Sequence, residues 1–158
     1  MLGSGWLRRC ALVLLGIAVA VPLGSAHPPD LNPAAISIQL PEHIKWVDTP
    51  DGKSTAVLYG DPDKPGWYIV LLKWHAHHNS RPHYHPYDRY VTVLSGTWWV
   101  NTGSKYDLEH MVPLPTGSFA VHHAKEIHYD GAKDADTVLE VVGQGPAPSI
   151  AAEDPPKP

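Results

Sequence analysis

The chain has 158 residues, a formal net charge of −4 and 11 histidines. Its one cysteine, Cys10, and the absence of long basic runs leave no material for a disulfide framework or a thiolate metal centre. The same balance argues against nucleic acid or an anionic membrane as partner.

From the N-terminus, Arg8 and Arg9 precede an apolar stretch from Cys10 to Val21, and Gly24-Ser25-Ala26 presents small residues for cleavage. This pattern predicts a secretory signal peptide over 1–26, and hence a periplasmic or secreted protein with no membrane attachment after processing. A mature chain of 132 residues (158 less 26) suffices for one domain with a sizeable core. Losing Arg8 and Arg9 takes the charge from −4 to −6, and every histidine falls in the mature part.

Residues 27–35 are Pro-rich and predict an extended N-terminal arm. Ile36 to Leu40 alternates apolar and polar residues, a strand signal, and Trp46 is a candidate core anchor in the loop that follows. Ala56–Tyr59 and Trp67–Trp74 read as strands around the turn-rich Gly60–Gly66. Tyr90–Leu94 and Thr97–Val100 flank Ser95-Gly96 and predict a tight hairpin. Met111-Val112 ends at Pro113; Ser118–His123 and Thr137–Val142 are further strands, and 144–158 predicts a flexible tail. No helical apolar period is sustained, so the pattern is that of an all-β sandwich or barrel, with its domain over 36–143.

Catalytic arrangements of other kinds are absent. Ser95 sits in a hairpin turn rather than a strand-to-helix elbow, and Gly60–Gly66 lacks the glycine and lysine placement of a phosphate loop. What remains is histidine. His83 and His85 are two residues apart beside an extended run, so both side chains share a face and can aim at one point. Tyr87 and Arg89 continue that parity. His128 is a third candidate ligand. His122 and His123 are adjacent, so only one faces inward; His122 is favoured, as a further ligand or a supporting group. Asp130 and Lys133 read as loop residues at the surface.

At these residues the chain resembles the cupins, small jelly-roll barrels. Their first motif runs Gly, five residues, His-x-His, three or four residues, Glu, six residues, Gly. Here His83, His85 and Gly96 fit, Arg89 occupies the glutamate position and His77 the leading glycine. In the second motif Gly117 and His128 fit, while His123, Lys125 and Ala132 replace its Pro, Gly and Asn. The resemblance implies a double-stranded β-helix and a divalent transition metal held by His83, His85 and His128. Imidazole suits Fe(II), Mn, Ni, Cu and Zn alike, so ligand type does not select the metal.

Arg89 complicates that expectation, because a guanidinium stays charged and opposes a nearby dication. It either swings aside to pair with Asp88 or another acid, faces the open side of a metal and grips an anionic ligand, or forms a metal-free anion pocket with the histidines. The reading that follows is a secreted cupin binding a divalent metal, acting as a dioxygenase or isomerase on a small anionic or phenolic compound, with Arg89 and Tyr87 as catalytic candidates. A non-catalytic module binding metal or a small anion is the alternative, and a structural domain with a vestigial cavity, as in a homodimer, is a third.

Overall fold

The computed structural model describes residues 31–152; the expected signal peptide and the last six residues lie outside the described residues. Leu31–Ser37 belongs to a unit of its own, where Ala35 and Ile36 donate their N–H groups to Asn32 O in a short turn. The strand expected over Ile36–Leu40 does not form. Its apolar side chains stay in solvent, with Ile36 53 % and Ile38 49 % exposed, so the alternating pattern finds no sheet to join.

From Ile38 onward, a single 3-10 turn (Pro41–His43) leads into strands only: β1 (Val47–Thr49), β2 (Lys53–Tyr59), β3 (Gly66–Trp74), β4 (His83–Tyr84), β5 (Arg89–Ser95), β6 (Thr97–Thr102), β7 (Val112–Pro115), β8 (Phe119–His122), β9 (His128–Gly131), β10 (Thr137–Gly145) and β11 (Ile150–Ala151). They form two antiparallel sheets, in the order β1-β2-β3-β10-β5-β8 and β11-β4-β9-β6-β7. Alternation places Tyr68, Val70 and Trp74 of β3, Val91 and Val93 of β5, and Leu139 and Val141 of β10 on one inner face. Trp98 of β6 meets them in a single core. Each large apolar side chain buried there contributes on the order of 1.5–3 kcal/mol.

Two local departures from expectation have clear causes. β7 runs through Pro113 to Pro115 instead of stopping at Pro113. It is an edge strand, paired only with β6, so a proline lacking N–H costs it no second ladder. The predicted flexible tail is also structured as far as it is described. β10 continues to Gly145, Ala147 N–H donates to Pro62 O at 2.8 Å, and β11 pairs with β4. Proline and glycine richness disguised a segment whose ordering hydrogen bonds are made to distant parts of the chain.

The glycine substitutions noted in the motifs leave their backbone shape unchanged. His77 has φ 66° and Lys125 φ 65°, in the left-handed region that glycine adopts at no steric cost. The turns are kept because long-range bonds fix them: His77 N–H donates to Lys133 O at 2.7 Å and Lys125 N–H to His85 O at 2.8 Å.

Candidate metal centre

Both sheets contribute to one cavity of about 310 Å3. From the five-stranded sheet, His83 of β4 lies directly opposite His128 of β9 in the strand register. Cross-strand partners are close neighbours, and their ring centroids are 4.6 Å apart. His85, just beyond the end of β4, keeps the face of His83; its ring centroid is 5.0 Å from His83 and 5.5 Å from His128. One candidate ligand nitrogen from each of the three lies within 4.8 Å of the others. From the facing sheet come Arg89 of β5 and His122 of β8, themselves register partners.

The hydrogen bonds fix which nitrogen faces the centre. His83 Nδ1 lies 2.8 Å from Arg81 O, His85 Nδ1 2.9 Å from Pro148 O, and His128 Nδ1 3.0 Å from Glu126 O. A carbonyl can only accept, so each Nδ1 carries the proton, and in the neutral ring Nε2 carries the lone pair. Backbone carbonyls that orient imidazoles in this way are the usual outer support of metal-ligating histidines. His128 Nε2 is buried with no hydrogen-bond partner. An unmet acceptor of this kind costs about 1–3 kcal/mol, and a shared cation would satisfy it. Three neutral imidazoles with supported Nδ1 atoms therefore fit a divalent transition metal.

Burial keeps His85, His122 and His128 neutral. Burial, then the Arg89 charge, then His83 push His85 down to about 2. His128 is pushed down to about 4 by burial, with His83 adding and Asp130 opposing. His122, stacked on His128 with ring centroids 3.7 Å apart, is likewise lowered by burial, against the pull of Asp130.

Arg89 points into the cavity, and its Nη1 donates to His85 Nε2. Its Nε is buried without a partner. The option of Arg89 pairing with Asp88 is overturned. The Asp88 carboxylate instead accepts the Ala124 N–H at 2.7 Å and stands 3.9 Å from His123. His122 is the inward member of its pair; the His123 side chain is 71 % exposed. His122 nevertheless stands outside the group of three mutually close ligand nitrogens, and its Nδ1 is buried without a partner.

Tyr87 does not reach this cavity. It is 45 % exposed and lines a separate surface hollow with Trp67 and Tyr90. The parity that placed it beside His85 and Arg89 assumed continuous strand, but the chain bends at Pro86-Tyr87, because proline interrupts the ladder between β4 and β5.

Asp130, expected in a surface loop, is a buried member of β9, 6 % exposed and lining the cavity. Its Oδ2 accepts the indole N–H of Trp98 at 2.8 Å and of Trp74 at 3.2 Å, and its Oδ1 accepts the Ser80 hydroxyl at 3.0 Å. Burial alone would raise this carboxyl. The charge that His122, His83 and His128 carry when protonated, together with the Trp98 N–H, outweighs it and lowers the group below the ordinary carboxylate range. The signal was present in the sequence: Asp130 is two residues after His128 and so shares its face if that stretch is strand.

No protein-family model matches the sequence, and no curated protein matches it. Solved structures do match. The chain is similar to the polyketide cyclase RemF from Streptomyces resistomycificus, at 15% identity over 77% of this chain and 88% of that one, with a TM-score of 0.64. It is similar to KdgF from Halomonas sp., at 19% identity over 68% of this chain and 94% of the other, with a TM-score of 0.56. A third is an RmlC-like cupin from Shewanella frigidimarina, at 13% identity over 68% and 90%, with a TM-score of 0.56. At these identities the likeness is one of fold. That fold, two antiparallel sheets closing on an inward histidine cluster, is the double-stranded β-helix of the cupin-type structures it resembles.

Proposed function

We propose that the protein is a metal-dependent cupin enzyme acting outside the cytoplasm on a small anionic or phenolic compound, by oxygenation or isomerisation. His83, His85 and His128 hold a divalent transition metal. The observation that carries this reading is the shared arrangement of the three rings: each Nδ1–H is spent on a backbone carbonyl, so three Nε2 lone pairs converge. A metal held by these three residues would supply Lewis acidity to a ligand in the cavity.

The chain's own groups define what can enter. Arg89 sets a fixed positive charge beside the histidines, suited to the carboxylate or phenolate of a ligand. Asp130 sets a fixed negative charge deeper in the cavity, its oxygens already engaged by Trp74, Trp98 and Ser80. A cavity of about 310 Å3 limits the ligand to a small molecule. Fold-level analogy adds support of a weaker kind. Similar structures include a polyketide cyclase and, at 15% identity over 66% of this chain and 58% of the other (TM-score 0.52), a structure described as DMSP lyases RdDddP and RnDddQII. The extracytoplasmic setting rests on the signal-like pattern over 1–26.

The test is metal analysis of protein purified from its native compartment, followed by oxygen uptake and product analysis with a panel of small acids and phenols. One equivalent of metal with turnover is the expected result. Metal without turnover across the panel favours the binding module, and protein lacking metal after native purification overturns the metal reading and leaves only a metal-free anion-binding module.

A further inference from the structure

We propose that the metal site is gated by Arg89 and is completed only when a small carboxylate or phenolate draws that arginine away, so that metal and anion bind cooperatively. The inference rests on the three-histidine reading above and concerns how that site is regulated.

Arg89 Nη1 donates to His85 Nε2, the same lone pair that a metal would need. One lone pair serves one partner at a time, so Arg89 and the metal compete for His85. His85 has no second nitrogen to offer, because its Nδ1–H is committed to Pro148 O at 2.9 Å. Two effects therefore oppose metal entry in the absence of anion: the lost hydrogen bond and the repulsion between guanidinium and dication.

Nothing among the described residues relieves this conflict. Arg89 has no carboxylate partner among them. Asp130, in the same cavity, is occupied by Trp74, Trp98 and Ser80. Asp88, next in sequence, caps Ala124 N–H. Arg89 Nε meanwhile is a buried donor with no acceptor, a standing cost that an incoming oxyanion removes. A carboxylate can take Nε and one Nη together in the two-pronged geometry that guanidinium favours. That contact releases His85 Nε2 and cancels the charge facing the metal. Binding free energies are reciprocal, so the metal must improve anion binding by the same factor that the anion improves metal binding.

Calorimetric titration of Zn(II) into the metal-stripped full chain at pH 7.5 tests this, in sodium chloride against sodium acetate at matched ionic strength. The expected result is zinc affinity about tenfold tighter in acetate. Arg89→Met, uncharged and of similar length, should bind zinc in chloride as tightly as the unaltered chain does in acetate, with no response to acetate. Arg89→Glu, a second variant in case the first folds poorly, should likewise lose the response to acetate and bind zinc in chloride at least as tightly as Arg89→Met, since its carboxylate can join the histidines. Equal zinc affinity of the unaltered chain in both salts overturns the coupling and leaves the three-histidine site standing. A response to acetate that persists in both variants also overturns it, since Arg89 would then not be the gate. No zinc binding by any of the three proteins in either salt brings down the metal reading itself, and the coupling with it.

Discussion

The indole N–H of Trp98 donates to Oδ2 of Asp130 at 2.8 Å, deep between the two sheets. This bond ties the largest core side chain of β6 to an enclosed carboxylate of the cavity, and Trp74 adds a second donor at 3.2 Å. Packing and site electrostatics therefore share a residue. Asp130→Asn keeps the shape and removes the charge that faces three imidazoles. Stability should fall by about 1–3 kcal/mol in urea denaturation at pH 7, and metal affinity should fall as well, since the negative charge facing the cluster is gone. Unchanged values for both would mean that Asp130 is only a packing group.

Acid should unfold the protein early. His85, His122 and His128 have folded pKa values of about 2, 3 and 4, lowered chiefly by burial, against about 6.5 in the unfolded chain. Below pH 6.5 the unfolded state takes up protons that the folded state refuses. Stability is thus full above about pH 6.5 and declines as pH falls toward the folded values. The slope is roughly 1.4 kcal/mol per pH unit for each histidine. Urea midpoints measured from pH 7.5 to 4.5 check this, and a flat profile would contradict the neutral cluster. Ordinary imidazole behaviour predicts metal loss below about pH 6.5. In the folded cavity, protons compete at His128 only near pH 4 and at His85 lower still.

His122 tests where the ligand set ends. It stacks on His128 with centroids 3.7 Å apart yet stands outside the convergent trio. His122→Phe retains the ring and should keep zinc affinity within about threefold, whereas His128→Phe should lower it by at least about a hundredfold. Equal losses in the two variants would make His122 a ligand.

Lys125 offers a stability gain at a turn that abuts the site. It is exposed, holds φ 65°, and its N–H bonds to His85 O. Glycine accepts that backbone without the clash a Cβ makes, so Lys125→Gly should raise stability by up to about 1 kcal/mol. A thermal melt reads the shift; a lower melting temperature would mean that the lysine side chain makes a contact worth more than the strain.

The strands with strong apolar character, Trp67–Trp74, Tyr90–Leu94 and Thr137–Val142, are legible in the amino-acid sequence, and so is the spacing that pairs His83 with His85; His128 joins them only through the resemblance to the cupin motifs. These signals are local: side-chain parity in a strand follows from backbone geometry alone. Legibility fails at Tyr87, where Pro86 bends the chain and resets parity, and at Ile36–Leu40, where a good strand pattern meets no partner. It fails again at Gly145–Ala151, where the bonds that order the segment run to Pro62 and β4.

By itself the sequence determined an all-β cupin barrel, its three candidate imidazoles and the arginine in the glutamate's place. Only the tertiary structure decided that Arg89 turns inward onto His85, that Asp130 is a buried charge rather than a surface one, and that Pro148 fixes the His85 tautomer. The Asp130 and Pro148 outcomes depend on which groups from distant parts of the chain reach one another in one cavity. The Arg89 contact, between residues four apart, depends on how the chain bends between β4 and β5. Burial and pairing between residues tens of positions apart leave no periodic trace along the chain.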